Sequence, residues 1–330
     1  MIIIGASSGI GRSTARALSG QGWNVVLASR SATALAAVEL ECERFGIETL
    51  VVPTDVGDGT AVDALFDAAV ARFGRVDAVV NTAAAVGYGR FEDVPAEIFD
   101  RVITTNLLGT ANVARSALRQ FKVQGGGDMV LTGSLLGKIA VPFMSPYVTG
   151  KWGVHALTRM IQIEARETPG VNVTLISPGS VNTPAYSQAA NYASREGRPP
   201  PPIDPPEKVA RAIVKSLAKP ARERSVGIAN PVVVLGFRVL PAIFDLAVGP
   251  LMKLGGLSRR PLAAYAGAVL APNPAGEAEH GFWGRFGRRS VETEAVSPAD
   301  DPAQGSTSLA EPEPAEDPIA PQPAAAGQPA

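Results

Sequence analysis

Seven short apolar runs, spaced so that a helix-length segment fits between successive runs, limit the fold of this chain more than any other feature. They are Ile2–Ile4, 23–29, Thr49–Pro53, Ala78–Asn81, 128–132, 172–176 and 225–229. Runs such as Asn172-Val173-Thr174-Leu175-Ile176 are dominated by apolar, β-branched residues, the pattern of strands covered on both faces. Each run except the last is followed by a helical stretch. Strand and helix in alternation predict an α/β fold, a doubly wound parallel sheet with helices on both faces. Asp204 before Pro205 and Pro206 reads as a helix N-cap, and that helix should run to about Lys219, where Pro220 stops it.

The character changes after Asn230. Residues 231–257 are apolar but broken by Pro241, Pro250 and several glycines, and they carry Arg238 and Asp245. Residues 231–289 are expected to form an irregular or helical extension packed on a 1–230 domain. Peripheral contact of 231–257 with a membrane surface is the alternative reading. Residues 290–330 hold Pro, Ala, Glu, Asp and Ser but no Lys or Arg. Such an acidic tail cannot bury a core, and it is expected to be disordered. The cluster Gly281-Phe282-Trp283-Gly284-Arg285-Phe286 just before it could dock on the domain or on a partner.

A net charge of −1 gives no reason to expect nucleic acid as a partner. No apolar stretch is long enough to predict a transmembrane helix. The single cysteine, Cys42, points to a reducing cytoplasm. With two histidines, His155 and His280, zinc chemistry and Ser-His-Asp hydrolysis have little to build on, and both are read as solvated or hydrogen-bonded residues. The chain begins inside its first strand, which leaves open a start a few residues upstream of Met1.

Gly5-Ala6-Ser7-Ser8-Gly9-Ile10-Gly11 follows the first strand directly and opens a helix. Glycines let the backbone turn tightly and approach a diphosphate, and the helix start offers free N–H groups to the anion. A Rossmann-type dinucleotide site is the functional reading; a tight strand–helix connection is the plain one. Dinucleotide sites for NAD(H) usually end the second strand with an acid that binds the ribose 2′-hydroxyl. Here Ser29 stands in that place and Arg30 follows, with Ser7 and Arg12 as candidates to assist it. A guanidinium suits a 2′-phosphate, so NADP(H) is expected over NAD(H).

Tyr147-Val148-Thr149-Gly150-Lys151 places a phenol and an ammonium on one helix face, about one turn apart. An ammonium nearby should favour the phenolate and lower the tyrosine pKa toward useful acid/base chemistry.

The G-x-x-x-G-x-G turn and the Y-x-x-x-K pair together resemble the one-domain branch of the short-chain dehydrogenase/reductase family, over roughly residues 1–230. The long 191–206 insert is similar to a bacterial subgroup of uncharacterised oxidoreductases. The resemblance implies an NADP(H)-dependent transfer of hydride between the nicotinamide and a small-molecule carbonyl or alcohol. It implies catalytic roles for Asn106, Ser134, Tyr147 and Lys151, with Lys151 also holding the nicotinamide ribose. It further implies cofactor contacts from Gly5, Ser7, Ser8, Gly9, Ile10, Gly11, Arg30, Asp55, Val56, Asn81 and Ala83. Pro178, Gly179, Val181 and Thr183 would lie at the nicotinamide end. Thr82 and Ala84 depart from the family's N-N-A-G, and Ile4 replaces its usual Thr. No metal site is implied. A homodimer or homotetramer, built on helices at 96–123 and 145–167, is expected from the family. A non-catalytic NADP(H)-binding sensor or scaffold stays as the alternative function. A serine hydrolase does not, because Gly133-Ser134-Leu135-Leu136-Gly137 lacks the G-x-S-x-G elbow. The segments 85–91, 135–145 and 185–202 should wall the substrate space, and their apolar character predicts an apolar or mixed substrate.

Overall fold

The structure is a computed structural model, and it describes residues 1–283. The expected acidic tail lies outside the described residues. Seven strands form one sheet: β1 (Ile2–Ile4), β2 (Val25–Ser29), β3 (Thr49–Pro53), β4 (Ala78–Asn81), β5 (Gly127–Thr132), β6 (Val171–Pro178) and β7 (Glu223–Val226). Their spatial order is β7-β6-β5-β4-β1-β2-β3, and every pairing is parallel. The order reverses at β1, which pairs with both β2 and β4 through Ile3↔Leu27 and Ile3↔Val80. Ligands of such sheets bind at this switch point.

Because side chains alternate across a strand, the apolar runs feed two cores at once. Ile2, Ile4, Val26, Ala28, Val79, Met129 and Leu131 enter one cluster with α3 (Gly59–Phe73), α5 (Gly109–Gln124) and α6 (Ser145–Glu164). Ile3, Val25 and Leu27 enter another, under α1 (Gly9–Ser19) and α2 (Ala32–Glu43). Val80, Val130 and Ile176 meet Val209 and Ile213 of α7 (Pro206–Ala218) in a third. A fully buried Ile or Leu contributes roughly 1.5–3 kcal/mol. The sheet is therefore held from both sides, as its unbroken apolar strands require.

Several boundaries differ from the sequence reading. β2 starts at Val25, since Trp23 is partly exposed and the Asn24 side chain accepts from the Glu48 N–H. β7 spans 223–226 rather than 225–229: Glu223 and Arg224 pair with Leu175 and Ile176, and Gly227, at φ +143°, turns the chain away. A helix does follow this last strand. Asp204 is not the cap of α7; Pro205 is, and Asp204 instead accepts from Lys208 Nζ at 2.8 Å. Between α4 (Ala96–Ile103) and α5 the chain makes one wider π turn, Thr104–Leu108, without leaving the helical path.

The extension is largely helical. α8 (Asn230–Val239) and α9 (Pro241–Leu251) form a hairpin, and a π turn, Met252–Gly256, leads into a strand, Leu257–Pro261. That strand pairs antiparallel with Arg195–Gly197 of the long insert. Edge-on aromatic contacts, Trp152–Phe237 at 6.3 Å and Phe237–Phe244 at 5.1 Å, tie the hairpin to α6. The chain then returns across the sheet's edge. Gly281 N–H and Trp283 N–H donate to the Asn182 backbone and side-chain oxygens, so this part of the aromatic cluster docks on the domain; residues 284–286 lie outside the described ones.

Candidate active site

At the ends of β1 to β6 lies a cleft of about 560 Å³. All the site residues expected from the sequence line it, except Ser7, Asn81 and Asn106.

One end is the glycine turn. Gly5 and Gly9 adopt φ of +78° and +51°, the left-handed region that side chains disfavour. A Cβ on Gly11 would collide with the Gly5 carbonyl oxygen, so α1 can close on β1 only without it. Ser8 enters α1 in extended conformation, and no acid sits in the first turn. Apart from the Gly9 N–H, which donates to Ala278 O, the amides there keep their attraction for an anion. Three wall hydroxyls, on Tyr88, Thr105 and Thr132, are buried without a hydrogen-bond partner among the described residues. A cleft with an anion-binding turn and unpartnered buried hydroxyls fits a polar, phosphate-bearing occupant such as a nicotinamide dinucleotide.

Asn81 and Asn106 work from behind the wall. Asn81 donates to Thr110 Oγ1 at 3.1 Å and accepts from the Ala83 N–H. Asn106 is fully buried in the π turn. Its Oδ1 accepts from Ala85 N–H at 2.8 Å and its Nδ2 donates to the Ala85 carbonyl at 2.9 Å. It is thus a positioning residue that clamps the chain beyond β4. Asp55 borders the cleft with its carboxylate held by Arg101 and the Gly57 N–H.

The corner around Arg30 is more crowded than the sequence suggested. Arg30 donates to the carbonyls of Val269 at 3.0 Å and Ala268 at 2.6 Å. Arg12 is paired with Glu41 at 2.5 Å and does not line the cleft. The returning chain adds Glu277, whose carboxyl is pushed up by burial and pulled down by a hydrogen bond from Ser7 and by Arg30 and Arg12. The next residues follow α1: Gly9 N–H donates to Ala278 O at 2.9 Å, and Glu279 binds Ser13 Oγ at 2.6 Å and Arg16. Glu207, Glu279 and His280 come within 4.8 Å of one another, with Glu207 and His280 already bonded at 2.6 Å.

The other end holds Ser134, Tyr147 and Lys151. Tyr147 and Lys151 share a face of the first turns of α6. The Lys151 ammonium is buried, donates to Thr132 O at 2.9 Å and lies 5.6 Å from the Tyr147 ring centre. Burial pushes its pKa down to about 8. Burial also raises the Tyr147 phenol, while a bond with Ser134 lowers it. The direction is opposite to the one expected from the Y-x-x-x-K pair, because desolvation of the phenolate outweighs the hydrogen bond with Ser134. Tyr88 and Tyr186, both lining the cleft, are raised by burial as well.

Beneath Ser134 sits a residue the sequence reading left undistinguished. His155 Nε2 lies 3.0 Å from the Ser134 carbonyl and 3.5 Å from Ser177 Oγ. Ser177 donates to Glu223 at 2.6 Å, and Glu223 pairs with Lys138 at 2.5 Å. Burial holds His155 down to about 4, so the ring is neutral. A Cβ on Gly133 or Gly137 would strike that ring. The signal was present: His155 lies four residues after Lys151, on the same helix face, and Ser134 is flanked by glycines. The cleft wall includes the expected Leu136, Val141, Tyr186 and Pro200, and also Val233, Phe244 and Val248 of the C-terminal hairpin and Met252 after it, which were not expected there.

Residues 1–192 match the family described as short chain dehydrogenase. The chain belongs to that family. A relative in Bacillus subtilis (strain 168), the uncharacterized oxidoreductase YxnA, is 32% identical over 264 residues, 79% of this chain and 74% of the relative. Among solved short-chain dehydrogenase folds, an alcohol dehydrogenase from the archaeon Thermococcus sibiricus, complexed with 5-hydroxy-NADP, matches with a TM-score of 0.59 and 30% identity, covering 68% of this chain and 94% of that one. A short-chain dehydrogenase from Streptomyces avermitilis matches with a TM-score of 0.63 and 25% identity, over 74% of this chain and 93% of that one. The chain is thus an oxidoreductase of this family, whose members use a nicotinamide cofactor.

Proposed function

We propose that this enzyme uses NADP(H) to interconvert a carbonyl and an alcohol on an apolar or mixed small molecule. The observation that carries the reading is one cleft that joins the glycine turn at one end to Ser134, Tyr147 and Lys151 at the other. When bound, the dinucleotide supplies or takes up the hydride. The amides of the glycine turn and α1 hold its diphosphate, and Arg30 faces its 2′-phosphate. Lys151 keeps two ammonium protons beyond its bond to Thr132, enough to hold ribose hydroxyls. Val181 and Thr183 border the carboxamide end. Ser134 donates a hydrogen bond to the substrate oxygen, and Tyr147 hands it a proton. The raised phenol pKa keeps that proton on Tyr147 until the oxygen becomes basic. A cytoplasmic setting fits the free, buried Cys42.

Three observations favour NADP(H) over NAD(H): Ser29 in place of an acid, Arg30 after it, and the NADP analogue in the archaeal relative. The test is NADPH consumption over a panel of ketones, aldehydes, steroids and acyl ketones, with binding of NADPH and NADH measured in parallel. Consumption with at least one carbonyl and tighter binding of NADPH are expected. Tight binding with no consumption across the panel would replace this reading with that of a nucleotide sensor.

A further inference from the structure

The hairpin of α8 and α9 is apolar on two sides. Its inner side, with Val233, Phe244 and Val248, walls the substrate cleft. Away from the cleft lining the hairpin carries Val232, Leu235, Val239, Ile243 and Leu246, each more than half exposed. No residue of α9 is buried. Scattered exposed apolar side chains are ordinary, but five within 15 residues on one hairpin form a patch that water should not face alone.

The charges name the occupant. Arg238, Lys253, Arg259 and Arg260 lie among and just after these residues in sequence and are exposed, against one acid, Asp245. None of the four cations enters an ion pair among the described residues. A second copy docking by a two-fold axis would set this basic rim against itself. An anionic lipid surface would complement it. No helix among the described residues is long and apolar enough to cross a membrane, so the hairpin would lie in the interface.

We propose that the α8–α9 hairpin docks on an anionic lipid surface and admits apolar, membrane-dissolved carbonyl substrates to the cleft it walls. The docking half stands independently of catalysis; the substrate half rests on the reductase reading. The test is co-sedimentation of the full chain with vesicles of phosphatidylcholine and phosphatidylglycerol, and with phosphatidylcholine vesicles alone, with light scattering on the same preparations. Binding to the anionic vesicles should be stronger by about tenfold and should fall with salt. The double substitution Leu235→Glu, Leu246→Glu lies at exposed positions outside the cleft. It should lower vesicle binding by about tenfold or more, with NADPH binding unchanged.

Absence of pelleting, or binding untouched by the double substitution, overturns the docking surface. Self-association abolished by the same substitution, without vesicle binding, overturns it too and assigns the patch to a second copy. For the substrate half, a long-chain methyl ketone dissolved in the vesicles is compared with a short water-soluble one. The double variant should lose turnover of the first only. Vesicle binding by a chain that consumes NADPH with neither ketone overturns the substrate half and leaves the docking surface standing.

Discussion

At the scale of single residues, the dinucleotide corner turns on two opposite charges that the chain brings together from far apart. Arg30 follows β2, and Glu277 arrives from the extension within its field. Arg30→Asp should weaken NADPH binding by about 1.5–3 kcal/mol and shift preference toward NADH, through loss of a charge-assisted phosphate contact. Glu277→Gln should do the reverse and tighten NADPH, since it removes a carboxylate that competes with the phosphate; calorimetric titration with both dinucleotides reads each effect. Equal binding of NADH and NADPH by the wild type would show that Arg30 plays no such part. His155 supplies a pH dependence whose sign follows from its depressed pKa. The unfolded imidazole takes up a proton near 6.5 and the folded one only near about 4. Between these values the unfolded state binds more protons, so stability is full above 6.5 and is lost as pH falls toward 4. Thermal unfolding scans from pH 7 to 4 should show this loss, and His155→Gln should flatten it. A curve unchanged by the substitution would remove His155 from the account.

At the scale of elements, the π turn between α4 and α5 is a device for aiming Asn106. Its amide grips both backbone groups of Ala85, which fixes the chain leaving β4 along the cleft. Asn106→Ala leaves those two groups unsatisfied and should cost on the order of 1–3 kcal/mol of stability. Turnover should drop more than NADPH affinity, because the shifted segment borders the substrate. Chemical denaturation and steady-state kinetics test the two halves; a fall in affinity alone would contradict the positioning role. The strands were legible because their apolar runs serve two cores and tolerate little else. The glycine turn and the Tyr147–Lys151 pair were legible because their spacing is local. Local spacing could not reveal His155 under Ser134, Glu277 beside Arg30, or the hairpin side chains in the substrate wall. These contacts join segments from 21 to nearly 250 residues apart in the chain. The tyrosine pKa went the wrong way for a related reason: sequence shows the neighbouring ammonium but not the depth of burial.

At the scale of the molecule, residues after 230 complete the domain rather than append to it. They wall the cleft, engage Arg30 and cover the start of α1. α6 buries Val154 and Ile161 against the sheet while Trp152 and Met160 remain exposed on its other side. With exposed Leu108 nearby in the π turn, this second stripe suits a helix-pair contact between copies. Light scattering at micromolar concentration should show a dimer or tetramer, and Met160→Glu should reduce its size; a strictly monomeric wild type would contradict the contact. The central claim is that one cleft binds NADP(H) and delivers a proton from Tyr147 to a substrate oxygen. Tyr147→Phe tests it most directly, since the ring and its packing stay while the proton is removed. With a carbonyl that the wild type reduces, the variant should bind NADPH as the wild type does. Its turnover should fall by at least about a hundredfold, the usual contribution of general acid catalysis. A Tyr147→Phe enzyme that reduces the same carbonyl at the wild-type rate would contradict the mechanism.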